Sequence, residues 1–87
     1  MTHDQLRETV LEALGSVIPE LQPADIDPSA TLRDQLDIDS MDFINFVIAL
    51  DKSLGVAIPE ADYGELSSVD ACVAYLERML AGRVSHG

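Results

Sequence analysis

The sequence predicts a small all-α bundle: three main helices, a short fourth, and a long loop between the first two. Three observations point there. The chain has 87 residues, the size of one small domain. Apolar residues recur at spacings of three and four in separate segments, as amphipathic helices require. No stretch keeps the alternation of a strand, since I-P-E and V-A-I are too short to make one.

The first helix is expected over residues 4–17, where Leu6, Val10, Leu14 and Val17 share one face. Thr2 or Asp4 can cap its start, and Pro19 lies just past its end. Residues 18–39 read as one loop, because three prolines and several Asp and Ser residues break any period. Leu21, Ile26, Leu32 and Leu36 are expected to pin that loop to the core. Loops of this length are unusual in compact domains and are often functional. The second main helix is expected over 40–54, with Gly55 as its stop. A short helix follows at 60–66. The last helix is expected over 69–80, capped by Ser67 or Ser68, with Asp70 at its positive dipole end. Val69, Cys72, Val73, Leu76 and Leu80 line one face of it. The tail, 81–87, is expected to fray. Residues 1–87 read as a single domain without repeats or low-complexity segments.

Sixteen acidic residues face five basic ones, a net charge of −11. Such a surface repels nucleic-acid phosphates and anionic membranes, which argues against both as partners. It attracts proteins with basic docking surfaces; the plainer reading is that the charge only maintains solubility. The single cysteine, Cys72, allows no intramolecular disulfide and is expected in the core. The opening MTHDQLRE has neither the basic nor the apolar region of a signal peptide, and no apolar run reaches membrane-spanning length. A monomer in a reducing, aqueous, cytoplasmic interior is the expectation.

The helix at 40–54 carries two apolar stripes. With Phe43 at zero and about 100° per residue, Phe46, Val47, Leu50 and Leu54 fall within roughly 60° of it and form the core face. Met41, Ile44 and Ile48 fall near about 160°, 100° and 140°, on the other side. Asn45, Asp51 and Lys52 flank them. A bundle this small can hardly wrap one helix on both sides, so the second stripe is expected to be partly exposed. An exposed apolar stripe with a polar rim suits docking. The competing reading folds the 18–37 loop over it.

Ser40 opens this helix within D-I-D-S-M-D, residues 37–42. A nucleophilic serine needs a base. The histidines, His3 and His86, fall in the expected terminal tails, the one lysine, Lys52, lies three turns away, and no G-x-S-x-G elbow surrounds the serine. No catalytic residue is therefore assigned. A calcium loop counted from Asp37 needs Gly and Glu where Asp42 and Ile48 stand. Zinc lacks its Cys and His ligands, so no metal site is assigned. Capping by Asp39 or Ser40 is expected, with Asp42 adding favourable charge in the first turn. Capping leaves attachment open, because a helix N-terminus also seats a phosphate, although Asp39 and Asp42 would oppose its charge.

The run LDIDSMDFINFVIALDKSLGVAIPE resembles the core of the acyl carrier protein family. Asp39-Ser40-Met41 matches its D-S-[LM] triplet, Asp42 the acid that follows, and Ile58-Pro59-Glu60 its I-P-[DE] after the helix. The resemblance covers nearly the whole chain, into SSVDACVAYL. It implies a fold of acyl-carrier-protein type and no catalysis. It implies that Ser40 carries 4′-phosphopantetheine, added from coenzyme A by a phosphopantetheinyl transferase with Mg²⁺, and that the arm's thiol holds the acyl cargo as a thioester. It implies that Asp39 serves recognition by the modifying enzyme. Met41, Asp42, Ile44, Ile48 and Asp51 would dock acyl-transferring, acyl-activating and synthase enzymes, with Glu60, Asp62 and Glu65 as lesser contacts. Phe46, Val47, Leu50, Ile58, Leu66 and Cys72 would line an acyl pocket; their plainer reading is core.

The chain departs from the family pattern at Asp37, usually Gly, at Asn45, usually Glu, at Lys52, often an acid, and at Phe43, commonly a small residue. These changes point to a specialised, discrete carrier in lipid or secondary metabolism. A D-alanyl or aminoacyl carrier is the alternative within the family; the G-G-x-S of peptidyl carriers is absent. An unmodified helical adaptor, docking through Met41, Ile44 and Ile48, is the alternative outside it.

Overall fold

The computed structural model describes residues 2–84 and holds four α-helices. They are α1 (His3–Val17), α2 (Leu32–Leu36), α3 (Ser40–Leu54) and α4 (Val69–Val84). Two 3₁₀ segments, Pro23–Asp25 and Glu60–Leu66, complete the order, and no strand occurs among the described residues. Among the described residues, no helix is long and apolar enough to cross a membrane.

Each long helix starts on a satisfied cap. Thr2 Oγ1 accepts the Gln5 N–H at 3.1 Å, and the Gln5 side chain accepts the Thr2 N–H at 2.9 Å, a reciprocal capping box. Asp39 caps α3, and Ser68 Oγ accepts the Ala71 N–H at 3.1 Å to cap α4. Gly55 ends α3 at φ 66°, where a side chain would be strained. Helix α1 packs on both α3 and α4, and α4 also packs on the Glu60–Leu66 segment. The core between them includes Leu6, Val10, Leu14, Phe46, Val47, Leu50, Leu66, Val73 and Leu76, all fully buried.

Three expectations need correction. The segment read as one loop, 18–39, contains both Pro23–Asp25 and α2. Helix α2 holds its place because Leu32 is buried and its N–H reaches the Ser67 carbonyl at 2.8 Å, while the Asp70 N–H reaches the Pro28 carbonyl at 3.0 Å. The segment is thus tied to the start of α4 and leaves the outer face of α3 uncovered. Helix α4 continues to Val84, beyond the expected stop at 80; 85–87 lie outside the described residues. His3 is no tail residue: it begins α1, and its Nδ1 lies 2.8 Å from Glu77 Oε1 on α4. His86 lies outside the described residues.

Candidate functional site

The site is the N-terminal end of α3 and what surrounds it. The Asp42 N–H donates to Asp39 Oδ1 at 2.9 Å, so Asp39, and not Ser40, does the capping. Ser40 is the first helical residue and is exposed. Among the described residues, nothing hydrogen-bonds its hydroxyl. The hydroxyls of Ser16, Ser29 and Ser68, by contrast, are engaged with Ala13, Asp27 and Ala71. Two neighbouring residues therefore divide the work at this helix start: one closes the backbone, and the other presents a free hydroxyl.

The approach to α3 is equally defined. Asp37 closes α2 in the left-handed region (φ 51°, ψ 40°), its N–H on the Arg33 carbonyl at 3.2 Å. Asp tolerates this conformation, though glycine is the residue it favours. Ile38 is buried and anchors the two-residue connection before Asp39.

Ser40 also borders an open groove of about 640 Å³ between α2, α3 and the Glu60–Leu66 segment. Phe43, Ile44, Tyr63 and Leu66 supply its apolar lining, and Arg33, Asp34 and Glu60 its charges. The ring of Phe43 meets that of Tyr63 edge-on, with centroids 5.8 Å apart, and lies 6.0 Å from that of Phe46. The helical wheel puts Phe43 at the centre of the core face. In the structure it is half-buried at the edge of the core, one side on Phe46 and the other toward the groove. A covalent arm on Ser40 fits this arrangement, since the hydroxyl is unbonded and opens onto space.

The outer stripe of α3 is exposed: Met41 by 65%, Ile44 by 39% and Ile48 by 44%. Asp42 and Asp51 are half-buried. Asp51 has a task within the fold that the sequence did not reveal: its Oδ1 accepts the Ile58 N–H at 3.1 Å, tying the end of α3 to the strap that follows. Of the lesser acidic contacts, Asp62 accepts the Tyr75 hydroxyl at 2.6 Å and Glu65 pairs with Arg78 at 2.7 Å; Glu60 stays open at the groove. Burial, and then the Asp62 carboxylate, push the Tyr75 hydroxyl up to about 12.

The six residues named for an acyl pocket, Phe46, Val47, Leu50, Ile58, Leu66 and Cys72, are all buried side by side in the core. Only Leu66 also lines the groove. The Cys72 thiol donates to the Leu66 carbonyl at 3.6 Å, and burial raises its pKa to about 12, which keeps it neutral.

Comparisons with known proteins show the family. A family model described as a phosphopantetheine attachment site matches residues 4–76. The meromycolate extension acyl carrier protein of Mycolicibacterium smegmatis is 29% identical over 76 residues, 84% of this chain and 77% of that protein. An acyl carrier protein of Rhodococcus erythropolis is 29% identical over 93% of this chain and 90% of its own length. One of Acidothermus cellulolyticus is 30% identical over 80% and 87%. Proteins with this domain hold 4′-phosphopantetheine covalently, receive it from a phosphopantetheinyl transferase and present acyl groups to other enzymes, with no catalysis of their own. With the family model spanning most of the chain, the protein belongs to the acyl carrier protein family.

Proposed function

We propose that Ser40 is the attachment residue and that this chain is a specialised acyl carrier, addressed by its partners through the outer face of α3. The observation that carries the reading is the exposed, unbonded Ser40 hydroxyl beside a different residue that does the capping. In the attachment step, Ser40 Oγ forms the bond to phosphorus, its proton passes to the transferase, and the nucleotide half of coenzyme A leaves. The bound group supplies a flexible arm ending in a thiol, on which the acyl cargo is held as a thioester. Asp39 holds the first turn in place, and its second carboxylate oxygen is left for the transferase and its metal. Met41, Ile44 and Ile48 offer apolar contact, and Asp42 and Asp51 offer charge to basic partner surfaces. The net charge of −11 supports steering of such partners toward a monomeric carrier in the cytoplasm.

The mycobacterial relative named for meromycolate extension supports lipid metabolism as the setting. The departures at Asp37, Phe43, Asn45 and Lys52 support a specialised role within it. The test is intact-protein mass before and after incubation with coenzyme A, Mg²⁺ and a broad-specificity phosphopantetheinyl transferase. One phosphopantetheine should be gained, and the gain should vanish in Ser40→Ala. A folded protein that gains nothing while a control carrier is modified would instead support an unmodified adaptor.

A further inference from the structure

We propose that Phe43 and Tyr63 act as a closed gate between the Ser40 groove and the core, so that tethered cargo rests in the open groove and long alkyl chains are not threaded inside. The inference rests on attachment at Ser40 and deepens that reading by naming where the cargo lies and what sets its class.

Four observations carry it. The groove and the attachment residue are continuous, because Ser40 itself borders the space of about 640 Å³. The floor between groove and core carries two rings beside Leu66: Phe43 and Tyr63 meet edge-on at 5.8 Å, and Phe43 backs onto Phe46 at 6.0 Å. Behind that floor the core is filled, with Phe46, Leu50, Leu66, Cys72 and Val73 at 0% exposure. A chain entering from Ser40 therefore meets a ring packed against Phe46 and Tyr63 and, beside it, core side chains that are already fully buried. Finally, the groove is amphipathic. Arg33 stands at its edge beside Asp34 and Glu60, with no ion pair among the described residues, whereas Arg7 and Arg78 are each paired with a carboxylate. Two rings, a polar edge of Arg33, Asp34 and Glu60, and an open side favour short or flat acyl groups with a polar end. They do not favour a saturated chain, which gains most by complete burial.

Phe43 is on this argument a specificity residue. It touches the cargo space on one side and shields Phe46 on the other. Tyr63 holds the ring in place from the 3₁₀ segment, and the six core residues form a pocket that is shut while this pair is closed.

The experiment compares protein bearing plain phosphopantetheine with protein bearing octanoyl-phosphopantetheine on Ser40, by methyl and amide NMR. In the native chain, octanoyl-dependent shift changes should fall on Ile44, Tyr63 and Gly64 and leave Val73 and Leu76 unmoved. In Phe43→Ala they should spread to Val47, Val73 and Leu76. Phe43→Leu, nearer in volume, serves if the alanine variant does not fold. Thioester hydrolysis gives a second readout: octanoyl and acetyl thioesters should hydrolyse at similar rates on the native chain, and octanoyl several-fold more slowly than acetyl on the Phe43 variant. Shifts at Val73 and Leu76 in the native chain, or an octanoyl thioester already protected there, would overturn the gate. Failure of Ser40 to gain the arm, seen by mass before any spectrum is taken, would overturn the attachment reading and the gate with it. A gain of the arm followed by core-wide shifts would overturn the gate alone.

Discussion

Asp39 has two separable tasks, and two substitutions divide them. In the structure its Oδ1 accepts the Asp42 N–H at 2.9 Å, one of the free donors at the start of α3. Asp39→Ala removes that acceptor and should cost about 1 kcal/mol. For a domain of this size, that lowers Tm by roughly 4–8 °C. Asp39→Asn keeps an oxygen in the same place, and Asn caps about as well as Asp. It gives up the carboxylate's attraction to the helix dipole, about 0.3–1 kcal/mol, and also relieves repulsion from Asp37 and Asp42. The two effects oppose, so the Asn variant should melt within about 3 °C of the native protein. If the transferase reads the carboxylate, its loss removes a charged contact of about 1.5–3 kcal/mol. Phosphopantetheine incorporation into the Asn variant should then slow by roughly ten- to hundredfold. Thermal melts followed by circular dichroism, beside initial rates from intact mass, measure both. An Asn variant modified at the native rate would show that Asp39 is a cap and nothing more. An Ala variant with a native Tm would show that the cap contributes no stability.

Leu50→Ala, at a fully buried position between α3 and α1, should cost about 2–5 kcal/mol, read from the shift in urea midpoint. Ile48→Ser, on the exposed stripe, should change stability by less than about 0.5 kcal/mol yet raise the transferase KM at least roughly fivefold with kcat unchanged. An unchanged KM would remove Ile48 from the docking face. Alkaline titration should destabilise the fold. Cys72 and Tyr75 have folded-state pKa values raised from 9.0 and 10.0 to about 12 each, so the folded chain binds more protons in this range. Their contribution is complete below about pH 9 and fades as pH rises toward 12. Cys72→Ala should flatten the lower part of that decline, as measured by urea unfolding at a series of pH values.

Much of the fold was legible because its signals are local. The apolar spacing of α1, α3 and α4, the Thr2 and Ser68 caps and the Gly55 stop each act within a turn or two of chain. Helix α2 was not legible, because five residues make too short a period to see. It stands on a buried Leu32 and on a hydrogen bond from its N–H to Ser67, far along the sequence. The position of Ser40 and the two stripes of α3 followed from residue types and helical geometry. The division of capping and presentation between Asp39 and Ser40 needed coordinates, since either side chain could have capped. The ties of Asp51 to Ile58 and of Asp62 to Tyr75 join residues whose approach depends on how the 56–66 segment folds back. Phe43 packs against the core on the side the wheel gives, and its being only half-buried was not legible for a related reason. The wheel gives its direction but not the height at which the core ends, and Tyr63 meets it from a different element.

The most direct measurement is to incubate the protein with coenzyme A, Mg²⁺ and a phosphopantetheinyl transferase, digest it, and locate the added group by fragment mass. The arm should lie on Ser40 and on no other serine, with none found in Ser40→Ala. Modification at Ser53 or Ser67, or a Ser40→Ala protein that still gains the arm, would contradict the division of roles at the head of α3.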